Sequence, residues 1–365
     1  MQVFEDLSPR SPGTAKCDVE YQRESSREEI TMGLWLRSAQ LVTLLLSIAA
    51  CIWGTFAAGG SISMFWQSFS DLPSLSQAVP FNQAFNAEQL KNLSHLVLVA
   101  GHAVIMADSL NNVVKQESDW FLEPYQRHQD LPQALVSHIK AGVDLAAVDP
   151  EALLIFSGGQ TRAAAGPRDE GWSYYRLAEH FSWWGHGAQA RSRHALRGSE
   201  PSVAPGAIVP VSQRTVTEDF ALDSFQNLMF SLCRFKEVVG HYPLRVTVIS
   251  FGFKKKRFAD LHRSALRFPS SRFSFIGIQP PPGSRFDLAK AEEGEWRNSL
   301  RLFEADPYGC HSQVLVEKRK ARNPFRRTAP YMLSCPNIKG LLEWCGPGIF
   351  PGPLPWSSKD VDHPR

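Results

Sequence analysis

Residues 156–162 read Phe-Ser-Gly-Gly-Gln-Thr-Arg, and they end a short apolar run, 153–156. Without a Cβ, Gly158 and Gly159 let a ligand approach the backbone, and consecutive N–H groups at such a turn form a nest for an anion. Ser157, Thr161 and Arg162 add donors. The competing reading is an ordinary turn after a strand. A second cluster, Lys254-Lys255-Lys256-Arg257, follows the apolar run 245–250 and opens a helical pattern. Cations are unfavourable at a helix N-terminus, and an anionic ligand or a carboxylate partner offsets that cost. A solvated charge run is the alternative.

Three further positions belong with these. Asp223 and Asn227 stand four apart with Ser224 between them, so Asp223 and Asn227 share one helical face. That face is opposite the apolar stripe, which makes a solvated polar face the rival of a site contribution. Glu170 heads another helical pattern just beyond the glycine loop. There it serves as a general base, as a ligand for a ribose or metal, or as a complement to the helix dipole. His102 follows the first apolar run, where an imidazole titrates near neutral pH or else caps a carbonyl. His102 and Glu170 are the catalytic candidates. The ligand-binding candidates are Ser157, Gly158, Gly159, Thr161, Arg162, Glu170, Asp223, Ser224, Asn227, Lys254 and Arg257.

The six cysteines include no C-x-x-C pair, and no metal centre is expected from them. Cys310, Cys335 and Cys345 fall late, with His311 beside the first. They are read as a metal site, as one disulfide or, most plainly, as unpaired structural thiols. The run 318–327, Lys-Arg-Lys-Ala-Arg-Asn-Pro-Phe-Arg-Arg, holds six cations. It reads as a phosphate or headgroup binder or as a solvated tail segment. Signatures G-x-S-x-G, H-E-x-x-H, G-x-x-x-x-G-K-[ST] and G-x-G-x-x-G are absent, which argues against hydrolase, zinc-protease, P-loop and dinucleotide sites in their usual forms.

The elements that must position these residues alternate. Strands are expected at 95–100, 153–156, 245–250 and 273–278, and helices at 132–143, 169–181, 217–239 and 255–267. The helix from 217 carries a stripe of Ala221, Phe225, Leu228, Met229, Leu232, Phe235 and Val239, with Thr217 as its expected cap. Alternating strands and helices imply parallel β-α units and an open sheet with helices on both faces, a Rossmann-like three-layer α/β sandwich. Ligands of such sheets sit outside the carboxyl ends of the strands, which selects the loops at 101–102, 157–170 and 250–257.

The chain of 365 residues is 43% hydrophobic with 23 Phe and 10 Trp, too apolar for wholesale disorder. Its net charge of +3 gives no argument for nucleic acid as a partner. Residues 1–37 read as a disordered tail. Residues 38–60 read as a membrane anchor, because 41–58 carry no charge. Arginines before that run and none close after it place the main domain on the far side, luminal rather than cytoplasmic, as a single-pass protein. The α/β domain is expected over 93–280, with an insertion loop at 183–214. A C-terminal wrap is expected over 281–365, with short helices only near 296–303 and 338–344.

The order of these pieces, with the motifs FSGGQTR, AGP, DSFQNLMFSLCRF and FKKKRF, resembles the SanA/YdcF-like domain of unknown function, and its fungal branch most closely. The resemblance covers about residues 93–280. It implies a Rossmann-like fold with a polar pocket, and it matches Ser157, Gly158, Gly159, Glu170, Asn227 and Arg257 to the family's polar positions. Phe253 and the lysines stand where bacterial members carry Ser or Thr with a His. The implied ligand is an anionic small molecule bearing phosphate or carboxylate, nucleotide or S-adenosylmethionine-like, with or without a reaction performed on it. A non-catalytic, membrane-tethered interaction protein retaining the fold is the alternative.

Overall fold

The computed structural model describes residues 90–184 and 209–357. The expected tail and anchor at 1–37 and 38–60 lie outside them. Among the described residues, no helix is long and apolar enough to cross a membrane.

Five strands form one parallel sheet: β1 (His95–Ala100), β4 (Ala152–Ser157), β5 (Thr215–Glu218), β6 (Arg245–Ser250) and β7 (Phe273–Gly277). A two-residue antiparallel ribbon, β2 (Val104–Ile105) with β3 (Trp120–Phe121), lies beside it in sequence. The main sheet runs β5-β4-β1-β6-β7. The chain starts at the centre, builds outward to β5, then returns to add β6 and β7 on the other side of β1. That reversal between β1 and β6 is where an open parallel sheet leaves a crevice at its carboxyl edge.

Every residue of β1 and β4 is buried, as expected for strands covered on both faces. The two-residue side-chain period divides them. Leu96, Leu98, Leu153, Ile155, Val246 and Val248 join one apolar cluster, and Val97, Val99, Leu154, Phe156 and Ile249 join the other. Helices α1 (Leu131–Val148) and α2 (Glu170–His180) cover the second face through residues such as Leu135, Ile139 and Leu177. Helix α3 (Ser224–Val239) covers the first through Phe225, Leu228, Leu232 and Phe235.

Several expectations need correction. The helix expected from Thr217 starts at Ser224, with Asp223 as its cap accepting from the Gln226 N–H at 2.9 Å. The residues before it are spent on β5, where Thr215 and Thr217 pair in parallel with Leu154 and Phe156. Thr-Val-Thr suits an edge strand by its β-branched side chains. The insertion loop is loop only in part. Residues 185–208 lie outside the described residues, but Val211–Arg214 form a 3-10 turn. There Arg214 is buried and donates to the carbonyls of Ala152 (2.7 Å) and Asp149 (3.0 Å).

The helix after β6 begins as a π-helical turn, Lys256–His262, and closes as α4 (Arg263–Ala265). The C-terminal part is more helical than two short pieces. It contains α5 (Leu288–Glu295), continuing through the π turn Trp296–Leu300 into α6 (Arg301–Ala305), then α7 (Gln313–Ala321), α8 (Tyr331–Ser334) and α9 (Lys339–Leu342). Its Tyr331, Ile338, Leu341 and Trp356 belong to the α3-side cluster. Cys310 and Cys345 are joined in a disulfide with Cα atoms 5.9 Å apart, so these two are not the unpaired thiols expected. Cys233 and Cys335 are free and buried.

Candidate functional site

A cavity of about 560 Å³ opens at the carboxyl edge of the sheet, over the crevice between β1 and β6. Gly101 and His102 after β1 and Phe251, Phe253 and Lys254 after β6 form its base. The β4 loop contributes Thr161 and Arg162, α2 contributes Glu170, and the first turn of α3 contributes Ser224 and Asn227 with the capping Asp223. The remaining wall comes from the C-terminal part, through Phe286, Lys290, Glu295, Lys318 and Arg322. Tyr125, Thr161, Arg162, Lys318 and Arg322 also line an adjoining hollow of about 420 Å³.

Ser157, Gly158 and Gly159 do not line the cavity. The Gly158 N–H donates to the Glu218 carbonyl and the Gly159 N–H to the Ala221 carbonyl, both at 2.9 Å. The expected anion nest is therefore already occupied by the chain. These glycines serve close packing instead: a Cβ on Gly158 would lie 2.6 Å from Glu170 Oε2, and one on Gly159 would lie 2.8 Å from the Ala221 carbonyl oxygen. Ser157 is fully buried. Its hydroxyl donates to Glu218 Oε2 at 2.6 Å and accepts from Asn227 Nδ2 at 2.8 Å, and the same Nδ2 reaches the Ser157 carbonyl at 3.0 Å. Asn227 thus joins the strand end to the cavity wall, and the solvated polar face weighed for it is ruled out by its burial. Glu218 is enclosed without a cation. Burial pushes its carboxyl up to about 7, against the opposing pull of hydrogen bonds from Ser157, the Phe220 N–H and Tyr331.

Glu170 begins α2 and is buried at the cavity wall, where Oε1 accepts from Thr161 Oγ1 at 3.2 Å. It forms no ion pair among the described residues. His102 corrects another expectation. Burial, with Lys254, His138 and Arg257 nearby, holds its imidazole well below the ordinary histidine range, so it stays neutral rather than titrating near pH 7. Its Nδ1 lies 3.1 Å from Lys254 Nζ and its Nε2 lies 3.0 Å from Ser250 Oγ. An ammonium only donates, so while Lys254 is protonated Nδ1 is the acceptor and the ring proton sits on Nε2, facing Ser250. Lys254 Nζ also lies 5.3 Å from the Phe251 ring centre and 5.6 Å from that of Phe253. Burial pushes this amine down to about 7; Arg257 and Arg322 add to the shift, and Glu295 and Glu170 oppose it.

The other charged candidates are present but engaged. Arg257 is buried in a two-pronged ion pair with Glu295 of α5, Nε to Oε1 at 2.7 Å and Nη2 to Oε2 at 2.9 Å. Its Nη1 donates to Ser224 Oγ at 2.8 Å. Arg162 pairs with Glu123 at 2.6 Å. Asp223 caps α3 and pairs with Arg319 at 2.6 Å, which holds its carboxyl below the usual range despite burial. Lys255 is exposed, and Lys256 reaches Glu304 at the surface.

The basic run at 318–327, weighed as a solvated tail, instead packs against the core. Arg319 holds Asp223, Arg327 reaches the Asp219 carbonyl at 2.8 Å, and Lys318 and Arg322 face the cavity half-buried. Lys318 donates to the Asn298 carbonyl, and Arg322 to the Leu222 carbonyl at 3.0 Å. Lys254, Lys290, Lys318 and Arg322 form no salt bridge to a carboxylate among the described residues. Glu170 and Asp287 are the cavity carboxylates without a cation there, so positive charge is in excess. Lys290, Lys318 and Arg322 escaped sequence reasoning; the only signal for the last two was the charge run, whose spacing does not reveal which cations fold inward. Among the described residues, the one trio of clustered metal-type donors is Cys310, His311 and Cys345, where both cysteines already share the disulfide.

No protein-family model matches the chain. No solved structure matches it. It is similar to a protein of Saccharomyces cerevisiae (strain ATCC 204508 / S288c) whose name is "Uncharacterized protein YOR238W", with 32% identity over 263 residues. The alignment covers 65% of this chain and 86% of the yeast protein. Identity at that level over most of the yeast sequence leaves one conclusion about descent: this chain belongs to the same family as YOR238W.

Proposed function

We propose that the chain binds a small molecule bearing phosphate or carboxylate, nucleotide or S-adenosylmethionine-like, in the cavity over the β1–β6 crevice. One observation carries the reading: Lys254, Lys318 and Arg322 stand half-buried around one hollow without a salt bridge to a carboxylate among the described residues. Desolvating unpaired cations is costly, and a bound anion offsets the cost. The strand order supports the same place, since the crevice lies where the order reverses. The finer fold assignment, a Rossmann-like sandwich in the fungal branch of the SanA/YdcF-like family, belongs to this proposal. So does a membrane anchor at 38–60 that carries the domain on its luminal side.

Thermal unfolding with a panel of nucleotides, sugar phosphates, inorganic phosphate and S-adenosylmethionine tests it. A ligand at about a hundredfold excess over its Kd stabilises the native state by about 2.7 kcal/mol, a shift of several degrees. The expected result is a shift for anionic members that Lys318→Ala with Arg322→Ala removes. A panel without any shift overturns the proposal and leaves the interaction-protein reading in its place.

A further inference from the structure

Lys254 differs from the other cavity lysines. Lys290 is exposed at the mouth, and Lys318 is tied to a carbonyl oxygen. Lys254 stands at the base, against the faces of Phe251 and Phe253, with a neutral imidazole as its polar partner at 3.1 Å. No carboxylate pairs with it among the described residues, and Arg257 stands close enough to repel its charge. Apolar walls, a neighbouring cation and the lack of a directly paired carboxylate are the surroundings that turn a lysine from a point charge into a nucleophile.

We propose that Lys254 forms an imine with the aldehyde or keto group of a small anionic ligand held by Lys318 and Arg322. This rests on the anion-binding reading above and adds a reaction to it. The ammonium first gives its proton to solvent. The freed Nζ lone pair attacks the carbonyl carbon, the π pair moves to oxygen, and a proton passes from nitrogen to oxygen to give a carbinolamine. That hydroxyl leaves as water, taking one proton, while the nitrogen lone pair closes the C=N bond. One water is released, nothing is oxidised or reduced, and no further reactant is needed. His102 contributes position: its Nδ1 holds one N–H of the amine, and Ser250 fixes the ring through Nε2. The amine is pushed down to about 7, so much of it is free base near neutral pH, whereas an ordinary lysine there is almost wholly protonated.

Glyoxylate, a small aldehyde carrying a carboxylate, is the probe. The full chain is incubated with glyoxylate and sodium cyanoborohydride at neutral pH, then digested and mapped by mass spectrometry. The expected result is a reduced adduct on Lys254 exceeding those on Lys290 and Lys318 by about tenfold or more. Inorganic phosphate should suppress it, and the uncharged acetaldehyde should give much less. Lys254→Met, which removes the amine and its buried charge, should abolish the adduct without lowering the melting temperature of the unliganded protein. Equal labelling of the three lysines, or equal labelling of Lys254 by glyoxylate and acetaldehyde, overturns the proposal. A parallel melt separates the two readings. If phosphate stabilises the protein but Lys254 gains no adduct, imine formation fails alone. If phosphate and glyoxylate both leave the melting temperature unchanged, the anion-binding reading fails as well.

Discussion

A carboxylate sealed from water and given only neutral partners keeps its proton, and Glu218 is such a group. Its ordinary value is 4.5 and burial lifts it to about 7. Between those values the folded chain holds a proton that the unfolded chain has released, so stability falls as pH rises through that window. The penalty is complete above pH 7. Gln at this position imitates the protonated acid: its oxygen accepts from the Phe220 N–H and Tyr331, and the Ser157 hydroxyl, which donates to the carboxylate, turns to accept from the amide. Glu218→Gln should therefore stabilise the protein at pH 8 by on the order of 2–3 kcal/mol and by little at pH 4. Denaturant unfolding at the two pH values measures this, and an equal effect at both would exclude a raised Glu218. Lys254 works in the opposite window. Its amine is lowered from 10.5 to about 7, so the unfolded chain binds more protons between those values and stability rises with pH there. Lys254→Met should stabilise the unliganded protein most below pH 7 and leave it unchanged above about pH 10.5, provided Glu170, Glu295, Arg257 and Arg322 around it keep their charges. Gly159→Val tests the glycine reading. With the Ala221 carbonyl 2.8 Å from where a Cβ would stand, the variant should lose about 1–3 kcal/mol through overpacking, with no ligand present.

At the scale of elements, the helix after β6 is locked to α5 by the Arg257–Glu295 pair. Removing one partner leaves a buried charge alone, so Arg257→Met or Glu295→Gln should each cost about 3–5 kcal/mol, and the double substitution should recover much of it. Lys256→Ala, at the exposed neighbour, should leave the unfolding midpoint unchanged. A double variant no more stable than the singles would show that the pair does not act as a unit. The sequence exposed the helix side of this lock but not the carboxylate side. Lys254–Arg257 stood out because four cations crowd a helix start, whereas Glu295 lies in Ala-Glu-Glu-Gly-Glu, where nothing marks which acid turns inward. The same contrast runs through the fold. The strands β1, β4 and β6 are apolar on both faces and were legible as runs. The edge strand β5, Thr-Val-Thr-Glu, continued smoothly into a helical pattern and hid the true cap at Asp223. The C-terminal helices each bury few residues, Leu315 alone in α7, so they offered too little periodicity to read. Ser157, Gly158 and Gly159 were legible as special residues, but their partners on the β5–α3 connection were not, and the partners decide that they pack rather than bind.

At the scale of the whole molecule, the cavity is completed by residues far from the strands that found it, and the Cys310–Cys345 disulfide closes a loop in that same C-terminal part. With its ends 35 positions apart in sequence, the cross-link restricts the unfolded chain by about 3–4 kcal/mol on the loop-entropy account. Cys310→Ser with Cys345→Ser should lower stability by about 2–4 kcal/mol, read as a reduced denaturant midpoint. Such a bond persists where the surroundings oxidise thiols and is reduced in the cytosol. It therefore gives a chemical test of the proposed luminal domain, independent of the anchor itself. A second marker stands at Asn92-Leu93-Ser94, where Asn92 is exposed in the turn before β1 and open to glycan attachment on the luminal side alone. Protein recovered from cells after rapid alkylation should then show no free thiol at Cys310 or Cys345 and a mobility shift on glycosidase treatment. It should also stay with membranes at high salt and alkaline pH. Alkylated Cys310 and Cys345, an unmodified Asn92 and release into the soluble fraction would together place the domain in the cytosol. The two markers report the same compartment through unrelated chemistry, a thiol potential and a glycosyl transfer. Agreement between them tests the topology without reference to how residues 38–60 fold.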